Sequence, residues 1–495
     1  VIAGNPEQST VTAGESELSA VMAGSVIALE KGDTCGELYG ICMDIGTTTV
    51  VVSLIHLADG AELATASRVN AQKELGLDVL SRISREMEDP DNGKKQLQSA
   101  IVQSVNEMIQ EVCEKSGVKS CNIYEITVAA NCTMMHMFLG IDARPIGKSP
   151  YSPIFTEAQT VSAEKIGLKA ADCAEIYCLP SVSAYIGADI VAGAYVCQLQ
   201  HAKDRVLFID IGTNGEIVLS DGGRLLCCSC AAGPALEGMN ISCGMRAAEG
   251  AIEDVQITET GVKLSVIGDE ARAENADVGN SLCPEGICGS GILAVVKELV
   301  RTGLVRKDGA FIKKEKLPED DYRYPMLRMN GRKREFILTN QGGQEDVQNI
   351  QNPDARLSAG QPLFITQGDI RQVQLAKGAI LSGFKALLKK AGISMEELDR
   401  ILIAGQFGAH LPAESLTGTG ILPKEVQDKL NYVGNSSKTG AYMALMSREV
   451  RSEMEKLAEQ MEYMELGNTE GYERLFAECM MFPERSQANH PSDFF

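Results

Sequence analysis

From residue 40 the chain reads ICMDIGTTTVVVSLIHL: a short apolar run, a Gly/Thr turn and a β-branched run. This pattern predicts a β-hairpin. The same arrangement returns at residues 205–226, RVLFIDIGTNGEIVLSDGGRLL, with the shared core Asp-Ile-Gly-Thr. A hairpin duplicated at domain-scale separation predicts two related lobes facing each other. Helical periodicity covers residues 73–88 and 94–115, and EITVAA at 125–130 reads as a strand. Residues 369–392 predict a long amphipathic helix. RILIAG at 400–405 reads as a buried strand entering a Gly-rich turn, and GNSSKTGAYMALMS at 434–447 opens a helix on small residues. The tail predicts a helix, a short strand at YMEL and a last helix ending near Phe482.

Residues 1–26 repeat a ten-residue unit, VIAGNPEQST, VTAGESELSA and VMAG. Small and polar residues dominate it, which leaves a flexible linker or a stack of short strands. The expected organisation is a linker-like segment at 1–38, a first lobe at 39–204 and a second lobe at 205–495. The second lobe carries a polar insertion at about 262–360 and a helical C-terminal extension.

The 495 residues exceed what one simple core accommodates, which agrees with two lobes. A net charge of −21 argues against binding a phosphate backbone or an anionic membrane surface. No apolar run approaches the roughly 18 residues that span a bilayer. No leader is read at the start, so the expected location is the cytoplasm. The fifteen cysteines are scattered through apolar segments and glycine loops. They predict reduced thiols in an anaerobe-like cytosol, most of them acting as small buried hydrophobes.

The candidate chemistry lies in the two turns. A hairpin turn rich in Gly and Thr presents backbone N–H groups and hydroxyls together, and these cradle phosphate oxygens. Gly46, Thr47, Thr48 and Thr49 form one such set. Gly212, Thr213, Asn214 and Gly215 form the other. Asp44 and Asp210 end the preceding strands. There they would hold Mg²⁺ through water, and one would orient an attacking water. Gly405, Phe407 and Gly408 in AGQFG suit close approach of backbone to an adenosine. No P-loop and no strand-coupled G-x-G-x-x-G is present.

With LIAGQFG and VGNSSKTGAYMAL, the two hairpins resemble the phosphate, adenosine and second connecting-helix motifs of the acetate and sugar kinase/Hsp70/actin superfamily. The implied fold is α/β: a two-lobed actin-like ATPase with duplicated ribonuclease-H-like lobes. Gly434 and Asn435 join the adenosine side by this resemblance. More specifically, AANCTMMHMFLGI, SAYIGADIVAG, AAGPALEGMNISCGMRAAEGAI, GICGSG, ITQGDIRQVQLAKGAI and ECMMFP resemble the reductive activators of corrinoid proteins, over residues 38–485. The resemblance implies an ATPase that drives an electron onto an inactive Co(II) corrinoid and restores Co(I) for methyl transfer. It implies ATP and Mg²⁺ as cofactors and a corrinoid protein as partner. A homodimer is a further expectation, and the charge and hydropathy lead to the expectation of no nucleic-acid and no membrane partner.

Members of that family usually carry a plant-type [2Fe–2S] domain, whose spacing is C-x₄-C-x₂-C. Cys173–Cys178 and Cys283–Cys288 have the first gap, but Ser181 and Gly291 stand where the next cysteine belongs. No iron–sulfur cluster is therefore expected within this chain, and the electron donor is expected upstream or on a separate protein. CCSCAAGPALEG also resembles activators of 2-hydroxyacyl-CoA dehydratases, whose cluster bridges two subunits. Packed thiols are the favoured reading of Cys227 and Cys230. A small-molecule kinase of the same superfamily and an actin-type filament are also compatible with the fold motifs. His136 and the methionines around it read as core.

Overall fold

The computed structural model describes residues 7–13, 16–22, 26–34, 36–269, 283–339, 362–405 and 411–484. It divides into two compact units. The first contains residues 1–210, 216–229 and 433–464, and the second contains 211–215, 230–432 and 465–495.

The strands run in chain order as β1 (Glu7–Ala13), β2 (Ser16–Met22), β3 (Val26–Lys31), β4 (Tyr39–Ile45), β5 (Thr49–His56), β6 (Glu62–Val69), β7 (Ile123–Ala130), β8 (Gln159–Ser162), β9 (Glu175–Cys178), β10 (Arg205–Ile211), β11 (Gly215–Asp221), β12 (Arg224–Cys230), β13 (Ala251–Ile257), β14 (Val262–Val266), β15 (Gly286–Ile287), β16 (Leu327–Asn330), β17 (Lys333–Ile337), β18 (Phe364–Thr366), β19 (Arg400–Ala404), β20 (Leu430–Gly434) and β21 (Met461–Tyr463). The helices used below are α1 (Val79–Glu88), α2 (Gly93–Ser116), α3 (Cys132–Leu139), α4 (Ala188–Val196), α5 (Gly289–Arg301), α6 (Gln367–Ala391), α7 (Ser436–Met446), α8 (Arg448–Gln460) and α9 (Tyr472–Cys479).

In the first unit β1 and β2 fall across the junctions of the ten-residue repeat, β3 follows it, and β1-β2-β3 form an antiparallel meander. The main sheet has the order β6-β5-β4-β7-β9-β8. β4 and β5 make the expected hairpin, and β7 runs parallel to β4. Every residue of β7 is buried, as befits a central strand covered on both faces. Each buried Val or Ile there contributes about 1.5–3 kcal/mol relative to exposure. α2 packs on β5 and β6, whereas α7 packs on β4 and β7. α7 also crosses α4 closely: a Cβ on Gly440 would sit 2.5 Å from Ala192 Cβ. β10, β11, β12 and β21 lie in that order in another sheet, with β21 parallel to β12.

In the second unit β13 pairs with β14 and β15, and β17 pairs with β16 and β18. α5 and α6 supply much of its core. α6 opens on a capping box made by Thr366 and Asp369 and ends at Gly392, whose φ is 73°. β19 neighbours β20. Parts of the expected insertion, at 270–282 and 340–361, lie outside the described residues. Among the described residues no helix is long and apolar enough to cross a membrane.

The long elements fall where the periodicity predicts them, and the differences are at their ends. The helix expected from 73 begins at Val79, because a separate 3₁₀ turn occupies Ala71–Glu74 under an Asn70 cap. The helix expected from 434 begins at Ser436, because Asn435 caps it through Oδ1 and Lys438 N, 2.9 Å apart. His136 is buried in α3. Its Nδ1 lies 2.8 Å from Cys132 O, its Nε2 accepts from Ile154 N, and its ring stacks on Phe155. Met134, Met135 and Met137 are core.

Candidate functional site

In the first unit Asp44 is the penultimate residue of β4, just before the turn to β5. The Asp44 carboxylate accepts from Asn435 Nδ2 at its Oδ2 and from Ser437 Oγ at its Oδ1, both at 2.8 Å. Burial raises the Asp44 pKa, and these two donors pull it partly back. Asn435, placed by resemblance on the adenosine side, thus engages Asp44 and caps α7. Gly46 is sterically required, since a Cβ there would meet Thr49 O at 2.8 Å. Gly46 N donates to Thr49 O and closes the turn. Thr47 Oγ1 accepts from Asn131 Nδ2 at 3.0 Å, and Asn131 caps α3. Thr48 and Thr49 complete the turn, with Thr49 entering β5 opposite Val69.

Three further carboxylates belong to the same unit. Asp189 stands in the first turn of α4, Asp210 near the end of β10, and Glu216 at the start of β11. All are half-buried. Burial, then Asp210, then Asp44 push the Asp189 carboxyl up to about 8. Burial, then Asp189 and Asp210, raise Glu216 well above the carboxylate range, opposed by a hydrogen bond from Ser229. The cluster therefore joins Asp44, Asp189, Asp210 and Glu216 electrostatically. Sequence reasoning assigned roles to the first and third only. Asp189 lies in SAYIGADIVAG and Glu216 in DIGTNGE, so both stood inside motifs singled out for other reasons.

Among the described residues no three His, Cys, Asp or Glu side chains converge to hold a metal directly. The donor set nevertheless fits a hydrated Mg²⁺. Mg²⁺ keeps most of its waters and needs few carboxylates, and a cation would relieve the mutual repulsion that adds to burial in raising Asp189 and Glu216.

The second unit carries the other turn. Gly212 N donates to Asn214 O at 2.9 Å. A Cβ at Gly212 would meet nothing nearer than 3.8 Å, so this glycine is not forced as Gly46 is. At Gly215 a Cβ would lie 2.9 Å from Cys230 Sγ. Thr213 Oγ1 lies 2.7 Å from Glu237 Oε1, a carboxylate that sequence reasoning passed over. Gly405 has φ 93°, a conformation that favours glycine; Gly434, which belongs to the first unit, has φ 66°. Phe407 and Gly408, the remaining adenosine candidates, lie outside the described residues, as does His410.

Cys227 and Cys230 are buried. Cys227 Sγ contacts Glu462 O and Cys230 Sγ contacts Gly215 O, which is the packed-thiol arrangement. Burial pushes Cys227 up to about 12, far from a reactive thiolate.

The RACo middle region matches residues 39–202. The C-terminal domain of RACo, the ASKHA domain, matches residues 204–492. The corrinoid activation enzyme RamQ of Eubacterium limosum is 34% identical over 416 residues, which cover 83% of this chain and 65% of that protein. A Co(II) methylated amine-specific corrinoid protein reductase of Methanosarcina barkeri is 24% identical over 419 residues, covering 81% of this chain and 68% of that protein. The chain thus spans about two thirds of the length of these relatives. The solved structure of a reductive activator for corrinoid, iron–sulfur protein is 33% identical, with a TM-score of 0.79. That match covers 96% of this chain and 72% of that one. The fold is the actin-like ATPase class, and the chain belongs to the RACo family of corrinoid reductive activators, carrying its middle region and its ASKHA domain.

Proposed function

We propose that this chain binds Mg²⁺-ATP, hydrolyses it, and uses the cycle to make an inactive Co(II) corrinoid protein reducible to Co(I). The observation that carries this reading is the carboxylate cluster of Asp44, Asp189, Asp210 and Glu216 beside the Gly46–Thr49 turn. Backbone N–H groups and threonine hydroxyls of that turn suit phosphate oxygens. Mg²⁺ would be held through water by Asp44 and Asp210 and would neutralise charge developing on the transferred phosphoryl group.

Asp44 is oriented by Asn435 and Ser437, so its carboxylate is preorganised rather than free to rotate. Burial and neighbouring carboxylates raise both Asp189 and Glu216, so each favours its protonated form more than an ordinary carboxyl does, and either would accept the proton of the attacking water once ionised. The corrinoid step needs one electron from a low-potential donor. An iron–sulfur donor, encoded upstream or on a separate protein, is the proposed source. The names of the Eubacterium and Methanosarcina relatives support the corrinoid protein as partner.

The experiment follows the Co(II) to Co(I) spectral change in a corrinoid protein from the same genome, with a chemical reductant, ATP and this chain. Co(I) appearing only with ATP and this chain supports the proposal. ADP release accompanied by a phosphorylated small molecule, with no cobalt reduction, would replace it with a kinase of the same fold.

A further inference from the structure

Behind the Gly46–Thr49 turn lies a buried cation. Arg82, on α1, is fully buried. Its NH2 donates to Thr47 O at 2.6 Å, its Nε to Gly76 O at 2.9 Å and its NH1 to Gln72 Oε1 at 3.2 Å, with Met134 Sδ 3.0 Å from NH1. Among the described residues no carboxylate bonds it, and the nearby Asp78 acts only at longer range. A buried guanidinium satisfied by carbonyls alone is costly. It stays charged all the same, since burial lowers its pKa only to about 10.

The surrounding chain is shaped to admit it. A Cβ on Gly76 would lie 2.7 Å from Arg82 N, so the chain passes only because residue 76 is glycine. Asp78 and Ser81 form a capping box that sets where α1 starts, and hence where Arg82 points. Asn70, also fully buried, completes the arrangement. Its Nδ2 donates to Gly46 O and its backbone N to Thr48 O, each at 2.9 Å.

Three consecutive turn carbonyls, those of Gly46, Thr47 and Thr48, are therefore held inward by Asn70 and Arg82. In a trans peptide the C=O of one residue and the N–H of the next point in opposite directions. Pulling these carbonyls inward turns the N–H groups of Thr47, Thr48 and Thr49 the other way, to the turn's outer side.

We propose that Arg82 and Asn70 are positioning residues of the phosphate turn, acting through its carbonyls to aim three backbone N–H groups at a nucleotide's phosphates. Arg82 adds a full positive charge one peptide behind them. This rests on the reading that the turn binds a nucleotide. The ligand class is the polyphosphate, not the nucleoside.

The test compares wild type, Arg82→Gln, Arg82→Lys and Asn70→Ser by calorimetry with ATP, ADP and adenosine, with Mg²⁺ present and folding checked by circular dichroism. Hydrogen bonds from charged groups are worth about 1.5–3 kcal/mol. Arg82→Gln should accordingly weaken ATP binding about 10–100-fold while adenosine affinity stays near wild type. Arg82→Lys, which keeps the charge but gathers its donors on a single nitrogen, should recover part of the loss. Asn70→Ser loses the bond to Gly46 O but retains the backbone bond, and covers the case in which Arg82→Gln does not fold. A uniform loss for ATP and adenosine would reduce both residues to scaffolding. A folded variant with wild-type ATP affinity removes its residue from the proposal. Wild type that binds none of the three ligands overturns the function itself.

Discussion

Asn435 donates from Nδ2 to Asp44 Oδ2 at 2.8 Å, joining two residues 391 positions apart. Ser437, in the first turn of the same helix, takes the other oxygen. The N-terminus of α7 thus serves a carboxylate on β4, and a helix opening near an anion is favourable in itself. The contact ties α7, a late element of the chain, to the first hairpin.

Loss of the carboxylate charge should cost catalysis more than folding. Asp44→Asn keeps the size of the side chain and its bond to Ser437, and Asp210→Ala removes a second member of the cluster. Each should lower kcat for ATP hydrolysis about 10²–10³-fold, the range for deleting one preorganised electrostatic partner. Steady-state turnover with unchanged far-ultraviolet circular dichroism is the measurement. Near-normal turnover in either variant would move that residue out of the site.

Stability should fall with rising pH in the metal-free protein. Asp189 has a folded pKa of about 8 against an ordinary value of 3.8. Between those values the folded state binds more protons than the unfolded one, so this group's stabilisation is full at low pH and lost as pH climbs to 8. Glu216 acts in the same direction. Melting temperatures from pH 5 to 9 should decline, and Asp189→Asn should flatten the decline. Mg²⁺ should bind more tightly as pH rises, releasing protons that calorimetry in two buffers can count. A flat wild-type profile would contradict the environment assigned to Asp189.

Nucleotide and partner should be linked reciprocally. If ATP changes the affinity for the corrinoid protein, the corrinoid protein changes ATP affinity by the same factor, typically about 5–150-fold. The acidic net charge of −21 makes long-range attraction a weak source of that affinity unless the partner surface is basic. Titrating the partner with no nucleotide, with ADP and with a non-hydrolysable ATP analogue checks this. Equal affinities in all three would place the ATP step after docking.

The segment after α9 should be required for the second unit's stability. Phe482 is fully buried, and its N donates to Lys307 O at 2.9 Å. Lys377, buried on α6, donates to Cys479 O at the end of α9, where a cation is favoured. A Cβ on Gly378 would strike Met480, so the segment lies directly on α6. Phe482→Ala should destabilise by about 3–5 kcal/mol. Chemical denaturation that shows less than about 1 kcal/mol would mean the site collapses around the cavity.

The sequence alone determined the two hairpins, because β-branched alternation and Gly/Thr turns act over a few residues. Asp44, Gly46 and the Thr47–Thr49 run were legible for that reason, as were β7, α2 and α6. The partners of Asp44 were not. Asn435 and Ser437 lie in a helix opening whose local pattern marks a cap and nothing about a carboxylate on β4. Asp189 and Glu216 looked like ordinary polar positions, since only the fold removes water from them and sets their charges near Asp210. Arg82 shows this most clearly. Nothing in its local pattern singled it out, and tertiary packing buries it against Thr47 O. Local physics set the turn's shape. Long-range packing decided which charges stand behind it and in front of it, because desolvation and Coulomb energy depend on neighbours that the chain brings in from far away.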